Sequence, residues 1–263
     1  MLYIFCDEDI QPVGTDWHYN FSAVAFYQNR FNNSGLRSIK NLKQGGKSLL
    51  PQIEQALKHN GSTALISHAV VPAELLPKGA KMKIDDTVKV ARKDVVWSRC
   101  IIFTIAKLGL RLVNCSWAFR TIDIFYDSKS LGQQYRNLIE QYLQKNLTQH
   151  LYRSVAMSNK NLGKKINVRR IKAVGKPQPG SLPDKFQLGV WFADRIVRRY
   201  EEVANKLPRR KQRGIQSKSQ LFPSRQAAGN LPVEIKKEED SIITEDITND
   251  VNEDLIELLK LLG

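Results

Sequence analysis

The period of hydrophobic and polar positions changes several times along this chain, and each change predicts an element. LYIF at 2–5 is an apolar run leading into Asp7, Glu8 and Asp9, which predicts a buried first strand delivering carboxylates at its end. Pro12 and Gly14 supply turn chemistry, and HYNFSAVAFY from His18 reads as a second strand, so the pair is expected to form a hairpin. SLLPQIEQALKHNG then places Leu49, Ile53, Ala56 and Leu57 on one helical face and stops at Asn60-Gly61, before the strand pattern STALISHAVV. A long apolar face from Val88 to Leu108 predicts a buried helix, capped by Asp85 or Asp86 and ended by Gly109. Strand-forming residues follow at 112–118 and 120–127, the second stretch closing in IDIFYDSKS. Ser128 or Ser130 can cap a helix over LGQQYRNLIEQYLQKNL. KKINVRRIKAV at 164–174 alternates with a period of two, GKPQPGSLPD is a loop, and Asp184 opens a helix over FQLGVWFADRIVRRYEE. Strands alternating with helices predict an α/β fold, a mixed sheet flanked by helices.

Beyond Leu207 the character changes. Residues 206–229 hold seven basic and no acidic side chains, while 230–263 hold three basic and ten acidic ones. Segregated charge with little apolar content predicts a flexible linker over 208–250, following a domain at 1–207. NEDLIELLKLLG is different: Leu255, Ile256, Leu258, Leu259 and Leu262 form an apolar stripe on an acidic helix at 251–263. Such a helix docks on its own domain, pairs with another chain, or folds on binding a partner.

The formal net charge of +15 favours polyanionic partners, nucleic acid first, with an anionic membrane surface as the weaker alternative because no apolar face accompanies the basic block. Cys6, Cys100 and Cys115 have neither metal-site spacing nor an even count, which suits a reducing compartment. The acidic start is unlike a signal peptide, and Lys107 and Arg111 break the longest apolar run, so a cytoplasmic location without a membrane span is expected.

Asp7, Asp127 and Asp194 carry the candidate chemistry. Each lies where an apolar element ends or is a polar residue among apolar and aromatic ones such as Phe125, Tyr126, Trp191 and Phe192, where an ionised carboxylate is costly unless paired or bound to a metal. Divalent-metal nucleases need carboxylates from separate elements to converge, since Mg²⁺ takes hard oxygen ligands. The plainer reading is a set of ordinary surface acids, with Asp194 paired to Arg198 one turn later. His68 reads either as a packed strand residue or as an acid/base group.

YIFCDED, YDSKS and QLGVWFADRIVRRYEE together resemble a bacterial family catalogued as domain of unknown function 3800. Its members begin with a strand ending in Asp-Glu-Ser and close with a helix carrying Gln-Leu-Ala-Asp. Asp9 stands in place of that serine, Ile10 where glycine is common, and GVWFAD stretches the last motif. The resemblance spans 1–207 and implies a ribonuclease H-like fold, with Asp7, Asp127 and Asp194 as metal ligands and Glu8 as an adjacent helper. Glu54 is the only candidate for a fourth ligand.

The expected activity is Mg²⁺- or Mn²⁺-dependent phosphodiester hydrolysis of DNA or RNA, in antiviral (phage) defence or a mobile element. Lys165, Arg169, Arg170, Arg195, Arg198 and Arg199 would contact phosphate. The alternative is a catalytically inactive nucleic-acid-binding subunit of a larger complex, recruited through its C-terminal tail.

Overall fold

An apolar run with no polar alternation belongs in a strand covered on both faces, and residues 2–6 are indeed all buried. In the computed structural model, which describes residues 1–29, 31, 50–83, 89–115, 117–128, 136–158, 166–175, 181–198 and 242–262, this run opens β1 (Leu2–Val13). It pairs antiparallel with β2 (Asp16–Tyr27) from Leu2↔Tyr27 to Val13↔Asp16, and Gly14 takes a φ of 63° in the tight turn between them. Helix α1 (Leu50–Asn60) precedes β3 (Thr63–Val71), which pairs antiparallel with β2. The strands β6 (Thr121–Asp127), β7 (Asn167–Val174) and β8 (Ile242–Asp246) each lie parallel to their neighbours. The six-stranded order is β7-β6-β1-β2-β3-β8, with only β2 running against the rest. A separate two-stranded ribbon joins β4 (Lys81–Lys83) to β5 (Lys89–Ala91).

Alternation along β1 feeds two cores. Leu2, Ile4 and Cys6 face one side, where helices α2 (Arg92–Asn114), α3 (Arg136–Ser158) and α5 (Thr248–Leu262) cover the sheet with Ile105, Leu143 and Leu255 among their buried residues. Tyr3 and Phe5 face the other side, beneath α1 and helix α4 (Lys185–Val197), in an aromatic cluster with Phe26, Phe31, Phe125 and Phe192. Burying each such ring stabilises the fold by about 1.5–3 kcal/mol. The mixed sheet flanked by helices is the expected α/β architecture, and no helix among the described residues is long and apolar enough to cross a membrane.

Five boundaries differ from expectation. Neither Asp85 nor Asp86 caps α2, which starts at Arg92 with Ala91 as its N-cap because residues 89–91 pair in the ribbon. The acidic cluster does not end β1: Asp7, Glu8 and Asp9 lie in its middle, because β2 supplies a partner of equal length. Gly109 does not stop α2, which runs on to Asn114 and replaces the strand expected at 112–118. A Cβ at Gly109 would lie 2.6 Å from Leu151 Cδ2, so this glycine serves the close approach of α2 to α3 rather than a helix end. The α3 pattern continues past Leu147 to Ser158, burying Leu151 and Val155 on the same stripe. The charged linker does not reach 250, since Ile242–Asp246 forms β8 against the exposed edge of β3.

The C-terminal stripe docks on its own domain. Ile247, Val251 and Leu255 are buried against the α2 side, while Ile256 and Leu261 stay exposed. Two ion pairs tie α5 to α2, Arg99 with Asp254 and Lys107 Nζ with Asp250 Oδ2 at 3.1 Å. The buried Arg99 guanidinium also donates to Tyr142 Oη and Asn146 Oδ1 of α3, both at 3.3 Å.

Candidate active site

Parallel pairing of β1 with β6 ends at Cys6↔Tyr126, so the next residues on each strand, Asp7 and Asp127, stand side by side, roughly 4.8 Å apart at their backbones. Both continue the face that holds Tyr3, Phe5 and Phe125. Helix α4 crosses this face and brings Asp194 over them. Its start is fixed by a capping box: Gln187 N donates to Asp184 Oδ1 and Asp184 N to Gln187 Oε1, both 2.8 Å. Gln187 Nε2 also donates to Gly175 O at the end of β7, 3.0 Å away.

Two small residues set the height of α4. A Cβ on Gly189 would run into the Phe5 ring, so only glycine lets the helix lie this close to β1. Ser22, opposite Asp7 on β2, donates its hydroxyl to Ala193 O at 2.7 Å, one residue before Asp194.

The result is an open cleft of about 410 Å³, lined by Asp7, Glu8, Asp127, Gln187, Asp194 and Arg198, with Trp191 and Val190 in its wall. Glu8 lines the cleft beside Asp7, just past the last β1–β6 pair, Cys6↔Tyr126. Asp7 is only 7% exposed, and its carboxyl is pushed up to about 8. Burial is the largest cause, then the Glu8 charge; Asp194 and Asp127 add to it, while the Glu8 N–H donated to Asp7 Oδ1 at 2.8 Å works against it.

Arg198 Nε donates to Asp194 Oδ1 at 2.6 Å, the i,i+4 pair that the helical spacing allows. Arg198 therefore sets a positive charge against Asp194 in the cleft lining. The donor set is all oxygen and suits a hard divalent cation. Among the described residues, no three of these groups are drawn together closely enough to hold one ion as they stand.

The expected phosphate contacts divide. Arg198 lines the cleft, whereas Arg195 is outside its lining and stacks on the cleft residue Trp191, its guanidinium carbon 5.1 Å from the ring centroid. Arg169 and Arg170 are engaged elsewhere. Arg169 Nε donates to Asp123 Oδ1 at 2.8 Å, its Nη2 to Asp123 Oδ2, and Arg170 Nε to the same Oδ2 at 2.9 Å. Asp123 is fully buried, and a carboxylate there needs both partners, so these arginines neutralise the sheet interior. Lys165 and Arg199 lie outside the described residues. Glu54, on α1, is not part of the cleft lining. His68 bonds through Nδ1 to Asn20 Oδ1 at 2.7 Å, and burial lowers its pKa.

Sequence reasoning missed Ser22, Gln187 and Gly189. The Asp184-x-x-Gln187 spacing carries the capping-box signal and was readable. Nothing local marks Ser22 or Gly189, whose roles depend on which strand lies under which helix.

No protein-family model matches this chain, and no curated protein matches it closely enough to count as a relative.

Proposed function

We propose that this chain is a divalent-metal-dependent nuclease with a ribonuclease H-like fold, hydrolysing phosphodiester bonds of DNA or RNA. The observation that carries the reading is Asp7 and Asp127 side by side on parallel strands with Asp194 of α4 on the same cleft, three carboxyl groups from three elements at one opening. The strand order, with a single antiparallel member at β2, and the resemblance of three motifs to domain of unknown function 3800 support it.

Mg²⁺ or Mn²⁺, when bound, supplies an activated water and stabilises the leaving oxygen. Asp7, Asp127 and Asp194 would hold it. Asp7 must first lose its proton, and Arg198 must release Asp194 and turn to the incoming phosphate. Arg195 offers a second phosphate contact, and Trp191 a flat face on which a base can stack. Val174 and Val190 add apolar surface to the cleft lining.

A second reading, an inactive nucleic-acid-binding subunit, is favoured by the Arg198–Asp194 pair, which already neutralises one carboxylate without a metal. Cleavage of labelled single- and double-stranded DNA and RNA with Mg²⁺, Mn²⁺ or EDTA separates the two. Metal-dependent cleavage that vanishes in Asp7→Asn and Asp127→Asn is the expected result. Salt-sensitive binding with no cleavage under either metal would leave only the second reading.

A further inference from the structure

The ribbon β4–β5 carries charge that the cleft does not use. Met82 and Val90 are paired across it and buried in the α2-side core, which turns Lys81, Lys83 and Lys89 together to the other face, all exposed. Lys83 and Lys89 are direct cross-strand partners, an arrangement that costs stability because like charges face each other. Lys78 before the ribbon and Lys93 after it are exposed too. None of these five lysines has an ion pair among the described residues. The neighbouring acids are engaged differently: Asp250 and Asp254 of α5 pair with Lys107 and Arg99, and Asp94 is buried. Glu74 is exposed, and Asp85 and Asp86 lie outside the described residues.

The ribbon follows the end of a central strand. β3 runs in the same direction as β1 and β6, and the chain passes from its end at Val71 into the ribbon. Met82 and Val90 seat it on the core beneath α2 and α5, so its lysines lie on the side of the sheet away from α4 and the carboxylate cleft.

We propose that this lysine face is a contact surface for a nucleic-acid phosphate backbone, separate from the carboxylate cleft and on the α2 side of the sheet. The inference rests on the reading that the substrate is a nucleic acid. A lysine ammonium is a point charge on a flexible stem that meets phosphate charge and not base identity, so the contact is independent of sequence.

The test is the salt dependence of binding, measured in EDTA so that nothing is cleaved, with the full chain and labelled 20-nucleotide single strands and duplexes. Replacing Lys81, Lys83 and Lys89 together by Gln should lower the slope of log Kd against log salt by about two for single strands and nearly three for duplexes. Affinity should fall about tenfold or more at 0.15 M salt. The triple Arg replacement should restore the slope, and the Gln variant should melt no lower than the parent. An unchanged slope, with the parent binding normally, overturns this inference and leaves the nuclease reading intact. No binding of any nucleic acid by the parent overturns both, as does lysine-dependent binding to phosphatidylserine vesicles alone.

Discussion

Replacing Asp7 by Asn should make the metal-free protein more stable while disabling the site. The carboxyl has a folded pKa of about 8 against an ordinary 3.8. Between those values the folded state holds a proton that the unfolded state has released, so stability falls as pH rises through that window. The loss is absent below 3.8 and complete above 8. At pH 7 the unfolded side chain is ionised and the folded one is not. At about 1.36 kcal/mol per pH unit, the three units from 3.8 to 7 cost up to about 4 kcal/mol. Asparagine has the same size, its Oδ1 accepts the same Glu8 N–H, and its amide can donate to a neighbouring carboxylate.

Thermal melts in EDTA from pH 4 to pH 9 should therefore show the variant close to the parent at pH 4 and up to about 10 °C higher at pH 7. Added Mg²⁺ should raise the melting temperature of the parent and leave Asp7→Asn unmoved. For the parent, the Mg²⁺ response should strengthen by nearly tenfold in affinity per pH unit below 8, because the ion displaces one proton. A variant that melts below the parent at every pH, or a difference that does not grow with pH, would refute the argument that burial and like charge hold Asp7 protonated.

Gly189→Ala forces a methyl into the Phe5 ring, so α4 must lift; a loss of about 1–3 kcal/mol in urea unfolding is expected, with cleavage falling further than stability because Asp194 moves with the helix. Arg99→Leu leaves Asp254 partly buried without its cation and removes donors from Tyr142 and Asn146, so about 3–5 kcal/mol should be lost. Hydrogen exchange should show protection falling first in β8 and α5; uniform loss across the sheet would mean that the C-terminal unit is not held by this contact.

Much of the fold was written in local pattern. The first hairpin, the stop at Asn60-Gly61, the strand ending in Asp127 and the helix opened by Asp184 follow from periodicity and turn chemistry, because neighbours in sequence decide them. So do the three aspartates as candidates, since an acid at the end of an apolar run or amid aromatic residues is visible without a structure. Tertiary contact decided the rest. Gly109 reads as a helix stop until Leu151 packs against it, and the acidic tail reads as a linker until the unpaired edge of β3 draws in residues 242–246. Arg169 and Arg170 look like free cations in an alternating strand, yet the buried Asp123, 46 and 47 residues away, consumes both. Whether three carboxylates meet depends on the register of β1 against β6 and on the height of α4 above them. That height is set by Ser22 and Gly189, small residues whose meaning lies wholly in what is packed against them.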